Sequence, residues 1–176
     1  MNVKFINPFV EAAFEVLHAE TNLNVSRGEL GLEKTPYVTD DATVIISLVG
    51  RVEGTVFYSL SERAAVSLAA RMMGESLTTF NSLAQSSIAE LGNVITGRAS
   101  VKLSEAGYEA TISPPTLLLG KGATISTLDF ARLVLPLNSE CGAVTIHLAL
   151  REGMMHRVVS AAALPVPARP AFQTQV

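Results

Sequence analysis

Between Asn81 and Glu105 the chain keeps a helical pattern whose two sides differ in kind. Ala84, Ile88, Leu91, Ile95 and Ala99 recur at three- and four-residue steps. At about 100° per residue they form one apolar stripe, wide enough to pack on a sheet. Ser86, Glu90, Asn93, Gly97 and Ser100 fall on the other side, within a sector of about 80°. A helix this long and this one-sided has to be docked by its stripe. The opposite row is then left to solvent, and its content is unusual, because asparagine and glycine are poor helix-interior residues. Ser86, Gly97 and Ser100 leave room around Glu90 and Asn93, as a surface built for close approach would. The segment Gly92-Asn-Val-Ile-Thr-Gly97 has the glycine spacing of a phosphate-binding loop. Arg98-Ala99 stands where Lys-Ser/Thr is needed, and the glycines lie inside a helix, so that reading is rejected.

The rest of the chain supplies the sheet. Asn7 and Pro8 predict a helix start, with Phe9, Ala13, Phe14, Val16 and Leu17 at helical spacing and an end near Asn22. Extended runs follow at Asn24 to Glu33 and Thr43 to Gly50, the second joined to Thr55–Leu60 by a hairpin loop, Arg51-Val-Glu-Gly54. Ser61 caps a shorter helix, ERAAVSLAARMM, that Gly74 stops. After the long helix, closed by Gly107, Tyr108 to Ser113 reads as a strand terminated by Pro114-Pro115. Ala123 to Leu135 and Gly142 to Leu150 are further strands. GTVFYSLS from Gly54 echoes GAVTIHLA from Gly142, each closing a helix–strand–strand succession. Separate hairpins predict an α+β fold: an antiparallel sheet with two long helices packed on one face and internal pseudo-symmetry. One domain over residues 1–160 is expected, followed by an alanine- and proline-rich tail at 161–176.

Composition narrows the function. Of the 176 residues 48% are hydrophobic and 16% charged, which excludes general disorder. A net charge of −3 without a basic cluster argues against nucleic acid as a partner. No apolar run approaches the ~20 residues that span a bilayer. The start, MNVKFINPF, meets Pro8 and Glu11 before a signal-peptide core develops. A cytoplasmic protein is expected. The single cysteine, Cys141, has no partner for an internal disulfide and sits beside Gly142 as a structural residue. His18, His147 and His156 are scattered, and no metal-ligand or nucleophile constellation emerges.

The stretch SSIAELGNVITGRAS, followed by ISPPTLLLGKG, resembles the CheC/CheX/FliY phosphatases of bacterial chemotaxis, their CheX branch most. The family pattern is Asp or Ser, three residues, Glu, two residues, Asn, then a proline some twenty positions on. Here that is Ser86, Glu90, Asn93 and either Pro114 or Pro115. The start, MNVKFINPFVEAAFEVL, is similar as well. Members with two sites repeat the Glu-x-x-Asn on a second helix. The first helix here offers Glu11-Ala-Ala-Phe14, Glu15-Val-Leu-His18 and Glu20-Thr-Asn-Leu23, none with Asn in the last place, so one site is expected.

The resemblance implies a hydrolase that removes the phosphoryl group from the aspartyl-phosphate of a CheY-type response regulator. An amide cannot serve as a base at neutral pH, but it can accept from and donate to one water, fixing it in line with phosphorus. Asn93 takes that role, as a glutamine does in GTPases. Glu90 docks the regulator by a charge-assisted pair with its active-site lysine. Ser86 and Gly97 support the contact. The resemblance also implies a homodimer pairing through its sheet; the apolar composition and the long run Thr124 to Leu135, read as an edge strand, are compatible with that. No cofactor is expected on this chain, the Mg2+ belonging to the regulator. The alternative is a non-catalytic module of the same fold that binds CheY or joins the flagellar switch.

Overall fold

A computed structural model describes residues 3–127 and 131–153. A short 3-10 turn, Val3–Phe5, runs straight into helix α1, Ile6–Thr21. The helix therefore begins ahead of Asn7, and no side chain caps it. Phe5 is fully buried and meets the Tyr108 ring edge-on at 5.2 Å, which holds this upstream turn on the core. Pro8 is tolerated because a first-turn N–H has no intrahelical acceptor. Asn22 ends α1 in the left-handed conformation, its N–H bonded to the His18 carbonyl at 2.8 Å.

Helix α2, Glu62–Met73, has the expected signals at both ends: Ser61 accepts from the Ala64 N–H, and Gly74 closes it at φ 66°. Helix α3, Ser82–Glu105, is capped by the Asn81 side chain, which accepts from the Ala84 N–H at 3.0 Å. All of Ala84, Ile88, Leu91, Ile95 and Ala99 are buried, and the three helices share one core with the inner face of the sheet.

That sheet is antiparallel. Its centre is the hairpin β4 (Ala42–Gly50) and β5 (Val52–Leu60) beside the hairpin β9 (Arg132–Ser139) and β10 (Gly142–Glu152), with β5 paired to β10. The β4–β5 turn is tighter than the expected four-residue loop, because Leu48 already pairs with Gly54. Gly54 belongs to the strand, not the turn. A Cβ there would stand 2.0 Å from the Ala149 carbonyl of β10, and φ is 138°, so only glycine lets β10 approach.

The runs read as single strands are divided. Asn24 to Glu33 becomes β1 (Ser26–Arg27) and β2 (Gly31–Glu33), both on β9. Pro114-Pro115 does end β6 (Ala110–Ile112), but the chain rejoins the same neighbour, β4, as β7 (Thr116–Leu119). Ala123 to Leu135 splits into β8 (Thr124–Ile125) and the start of β9. β8 pairs with β3 (Tyr37–Val38) in a separate ribbon. β9 lies between β10 and the β1/β2 pair, so the part of the expected edge strand Thr124–Leu135 that joins the main sheet, from Arg132 on, is in fact interior. The true edges are β1/β2 and β6/β7. The expected tail at 161–176 lies outside the described residues, as does His156.

The echo has a structural meaning. Its equivalent residues Tyr58 and Ile146 face each other in the β5–β10 register. A pseudo-twofold relates α1-β1-β2-β3-β4-β5 to α3-β6-β7-β8-β9-β10, with each half's edge strands laid on the other half's hairpin. On the outer face the β3–β8 ribbon brings Tyr37 over Phe57, rings 4.9 Å apart. Beneath it the buried Arg132 donates to Glu33, to the Thr35 carbonyl at 2.8 Å and to His147 Nδ1 at 3.3 Å. Burial and then the Arg132 charge push the His147 pKa down to about 4. A neutral imidazole that accepts from Arg132 fits both causes.

Candidate functional site

At Gly92, α3 sits close against the sheet. A Cβ there would lie 3.0 Å from Val44 Cγ1 and 3.1 Å from Tyr58 Cδ2. Four residues on, the buried Thr96 hydroxyl donates to the Gly92 carbonyl at 2.8 Å and stands 2.7 Å from the Tyr58 hydroxyl. With the threonine proton already committed, Tyr58 is the donor of that second bond. Burial raises the Tyr58 pKa far above its usual value, so the donor stays protonated. Together these contacts fix the height and rotation of α3 over β4 and β5.

Glu90 and Asn93 bracket that anchored point and face away from it. Glu90 is exposed and Asn93 half-buried, and Asn93 Nδ2 donates to Glu90 Oε2 at 3.3 Å. Among the described residues no cation pairs with Glu90. The amide keeps its carbonyl Oδ1 for a water, and the carboxylate has a second oxygen for an incoming cation.

The other residues of the row divide. Ser86 is exposed but bonds back to the Ser82 carbonyl at 3.0 Å. Gly97 is half-buried but uncrowded, since a Cβ would make only an ordinary contact with Ile112 Cδ1 at 3.9 Å. Ser100 leaves the row: its hydroxyl donates to the Ala110 carbonyl at 2.9 Å and ties α3 to β6. Ser113 fastens the next residues to β4, its N–H bonding the Ser47 carbonyl at 2.9 Å and its hydroxyl accepting from the Ser47 N–H at 3.0 Å. Pro114 and Pro115 follow it, between two strands that both touch α3.

Two exposed apolar side chains on the same helix, Leu83 and Val101, were not part of the sequence reading. Their signal was present, since steps of seven from Glu90 and Val94 reach them, but one residue alone at each end makes no stripe. Cys141 is buried in the β9–β10 turn, where its N–H bonds Ser139 Oγ at 3.2 Å. Among the described residues no three His, Cys, Asp or Glu side chains are grouped to hold a metal ion. Nor is any described helix long and apolar enough to cross a membrane.

The model of the family described as chemotaxis phosphatase CheX matches residues 42–138, a span that holds α3 and both prolines. The CheY-P phosphatase CheX of Thermotoga maritima is 25% identical over 155 residues, 87% of this chain and 99% of that protein. A CheC-like superfamily protein from Shewanella sp. PV-4 superposes with a TM-score of 0.78 at 29% identity, over 86% of this chain and 99% of its own. A CheX–CheY–BeF3–Mg2+ complex from Borrelia burgdorferi matches at a TM-score of 0.74 and 26% identity, over 86% of this chain and 100% of that one.

Proposed function

The chain belongs to the chemotaxis phosphatase CheX family, and from that premise we propose that it hydrolyses the aspartyl-phosphate of a CheY-type response regulator. One observation carries the reading: Glu90 and Asn93 stand side by side on the outward face of α3, beside Gly92, where the helix packs tightly on Val44 and Tyr58. The name of the Thermotoga relative and the Borrelia complex support it.

In this mechanism the regulator brings the phosphoryl group and its Mg2+. Glu90 pairs with the regulator's active-site lysine, a contact made before the chemistry, which sets how deep α3 enters. Asn93 then holds one water in line with the phosphorus. The water oxygen forms the new P–O bond as the bond to the aspartyl oxygen breaks. Aspartate leaves as carboxylate, and the water's proton departs with inorganic phosphate or to solvent. No base is required of the amide; its contribution is position. Ser86 and Gly97 keep the approach clear with small side chains. The protein works as a homodimer in this reading. Exposed apolar residues at both true sheet edges, Leu32 and Leu119, support association there. Light scattering that gives a monomer at micromolar concentration would overturn the dimer.

The test is turnover: loss of phosphoryl label from a phosphorylated CheY-type receiver, with and without this protein. An accelerated loss is expected. Binding without acceleration would favour the alternative, a non-catalytic CheY-binding or flagellar-switch module.

A further inference from the structure

The pseudo-twofold provides an internal control for α3, because α1 occupies its counterpart. The buried residues Phe9, Ala12, Ala13, Val16 and Leu17 have the same spacing as Ile88, Leu91, Gly92, Ile95 and Thr96. In this alignment Glu11 corresponds to Glu90. The same offset carries Leu83 and Val101 to Lys4 and Asn22, which lie just outside α1, in the 3-10 turn and at the left-handed helix end. α3 therefore runs past both ends of its counterpart, and neither Leu83 nor Val101 belongs to the core cluster. Both are nonetheless more than half exposed, at 54% and 56%. They lie within about 20° of Glu90 around the helix axis, roughly 10 Å before it and 16 Å beyond it. The acid and amide are therefore framed by one apolar side chain at each end of the same strip, with Val94 partly buried and Gly97 bare between them.

We propose that Leu83 and Val101 are the apolar anchors by which α3 grips the regulator, on either side of its phosphorylated aspartate. The inference rests on the proposed phosphatase reading and extends it to residues outside the Glu-x-x-Asn motif. Glu90 attracts a cation but is a single, solvent-screened charge, which by itself contributes little affinity. Apolar side chains desolvated at the ends of a contact supply what a lone exposed pair does not, and they exclude water from the polar centre. The continuity of the strip with Glu90 and Asn93 commits it to the receiver domain as occupant. Its length, about 27 Å from Leu83 to Val101, is that of a small domain's face.

The experiment is steady-state dephosphorylation of a CheY-type receiver, phosphorylated with acetyl phosphate and Mg2+, by wild type, Leu83→Ser, Val101→Ser and the double variant. Each single change is expected to raise KM about tenfold with kcat nearly unchanged, and the double more. Leu83→Met and Val101→Ile should restore the wild-type KM. Both sites are exposed, so the variants should melt with the wild type. A wild type that leaves the phosphorylated receiver untouched would overturn the phosphatase reading and this proposal with it. An active wild type whose double variant keeps its KM would overturn this proposal alone. So would a double variant whose only change is a smaller mass in light scattering, since the strip would then join copies of this chain.

Discussion

Helices α1 and α3 are two versions of one element, and they treat the same acid in opposite ways. On α1, Glu11 is held by Lys102 at 3.1 Å, and the next turn's Glu15 takes the same ammonium at 2.8 Å. The bond from Lys102 is the main cause that lowers the Glu15 pKa. On α3, Glu90 meets only the neighbouring amide among the described residues. Where α3 has Asn93, α1 has Phe14, partly buried against the core. Where α3 has the uncrowded Gly97, α1 has His18. An exposed carboxylate at this place in the fold is thus no site by itself. It becomes a candidate when its charge is left unanswered, an amide stands one turn on, and nothing bulky covers the pair.

Asn93→Ala tests the difference most sharply. It should slow dephosphorylation by about 10² or more while binding to the phosphorylated receiver persists, because a positioned water matters mainly in the transition state. Phe14→Ala, at the counterpart, should leave the rate unchanged when both variants are assayed on the same receiver. A wild-type rate for Asn93→Ala would end the water-positioning role.

The two glycines of α3 provide the next test. Gly92→Val forces side-chain atoms into Val44 and Tyr58 and should cost about 1–3 kcal/mol in urea unfolding. Gly97→Ala meets no obstacle and replaces a poor helix former with the best one. It should stabilise the fold by up to about 1 kcal/mol yet weaken receiver binding. If Gly97→Ala leaves affinity unchanged, the bare backbone at that residue has no role in receiver binding. The smallest effect is expected from Lys102→Met, which frees Glu11 and Glu15 at the surface. Melting should shift only slightly, less at high salt, and the rate should not change. A rate that rises would mean the freed α1 face competes as a second site.

Much of this was legible in the sequence because it depends on period. The stripe from Ala84 to Ala99 places α3 on the sheet and turns Glu90, Asn93 and Gly97 outward. Asn81, Ser61 and Gly74 mark helix ends by local chemistry alone. What period cannot carry was missed. The division of Asn24–Glu33 into β1 and β2, and the return of the chain to β4 after Pro115, depend on which distant strand each segment meets. Gly54 looked like a turn residue because its reason is the β10 backbone, far along the chain. Phe5 moved a helix start because it pairs with Tyr108. The bond between Tyr58 and Thr96 that steadies the site joins two residues with no mutual signal.

The exchange of edge strands sets how this molecule can come together and come apart. Among the described residues β1 and β2 find their ladder partners in β9, roughly 100 residues downstream, while β6 and β7 find theirs in β4. Each half therefore holds a hairpin whose outer flank must be completed by the other, and closing those long loops is the slow part of assembly. α3 runs directly into one of these crossing segments, so its exposed row takes its final place only after both halves have met. A cut in the loop between α2 and α3 would still leave two interlocked pieces, held until one was drawn out of the other.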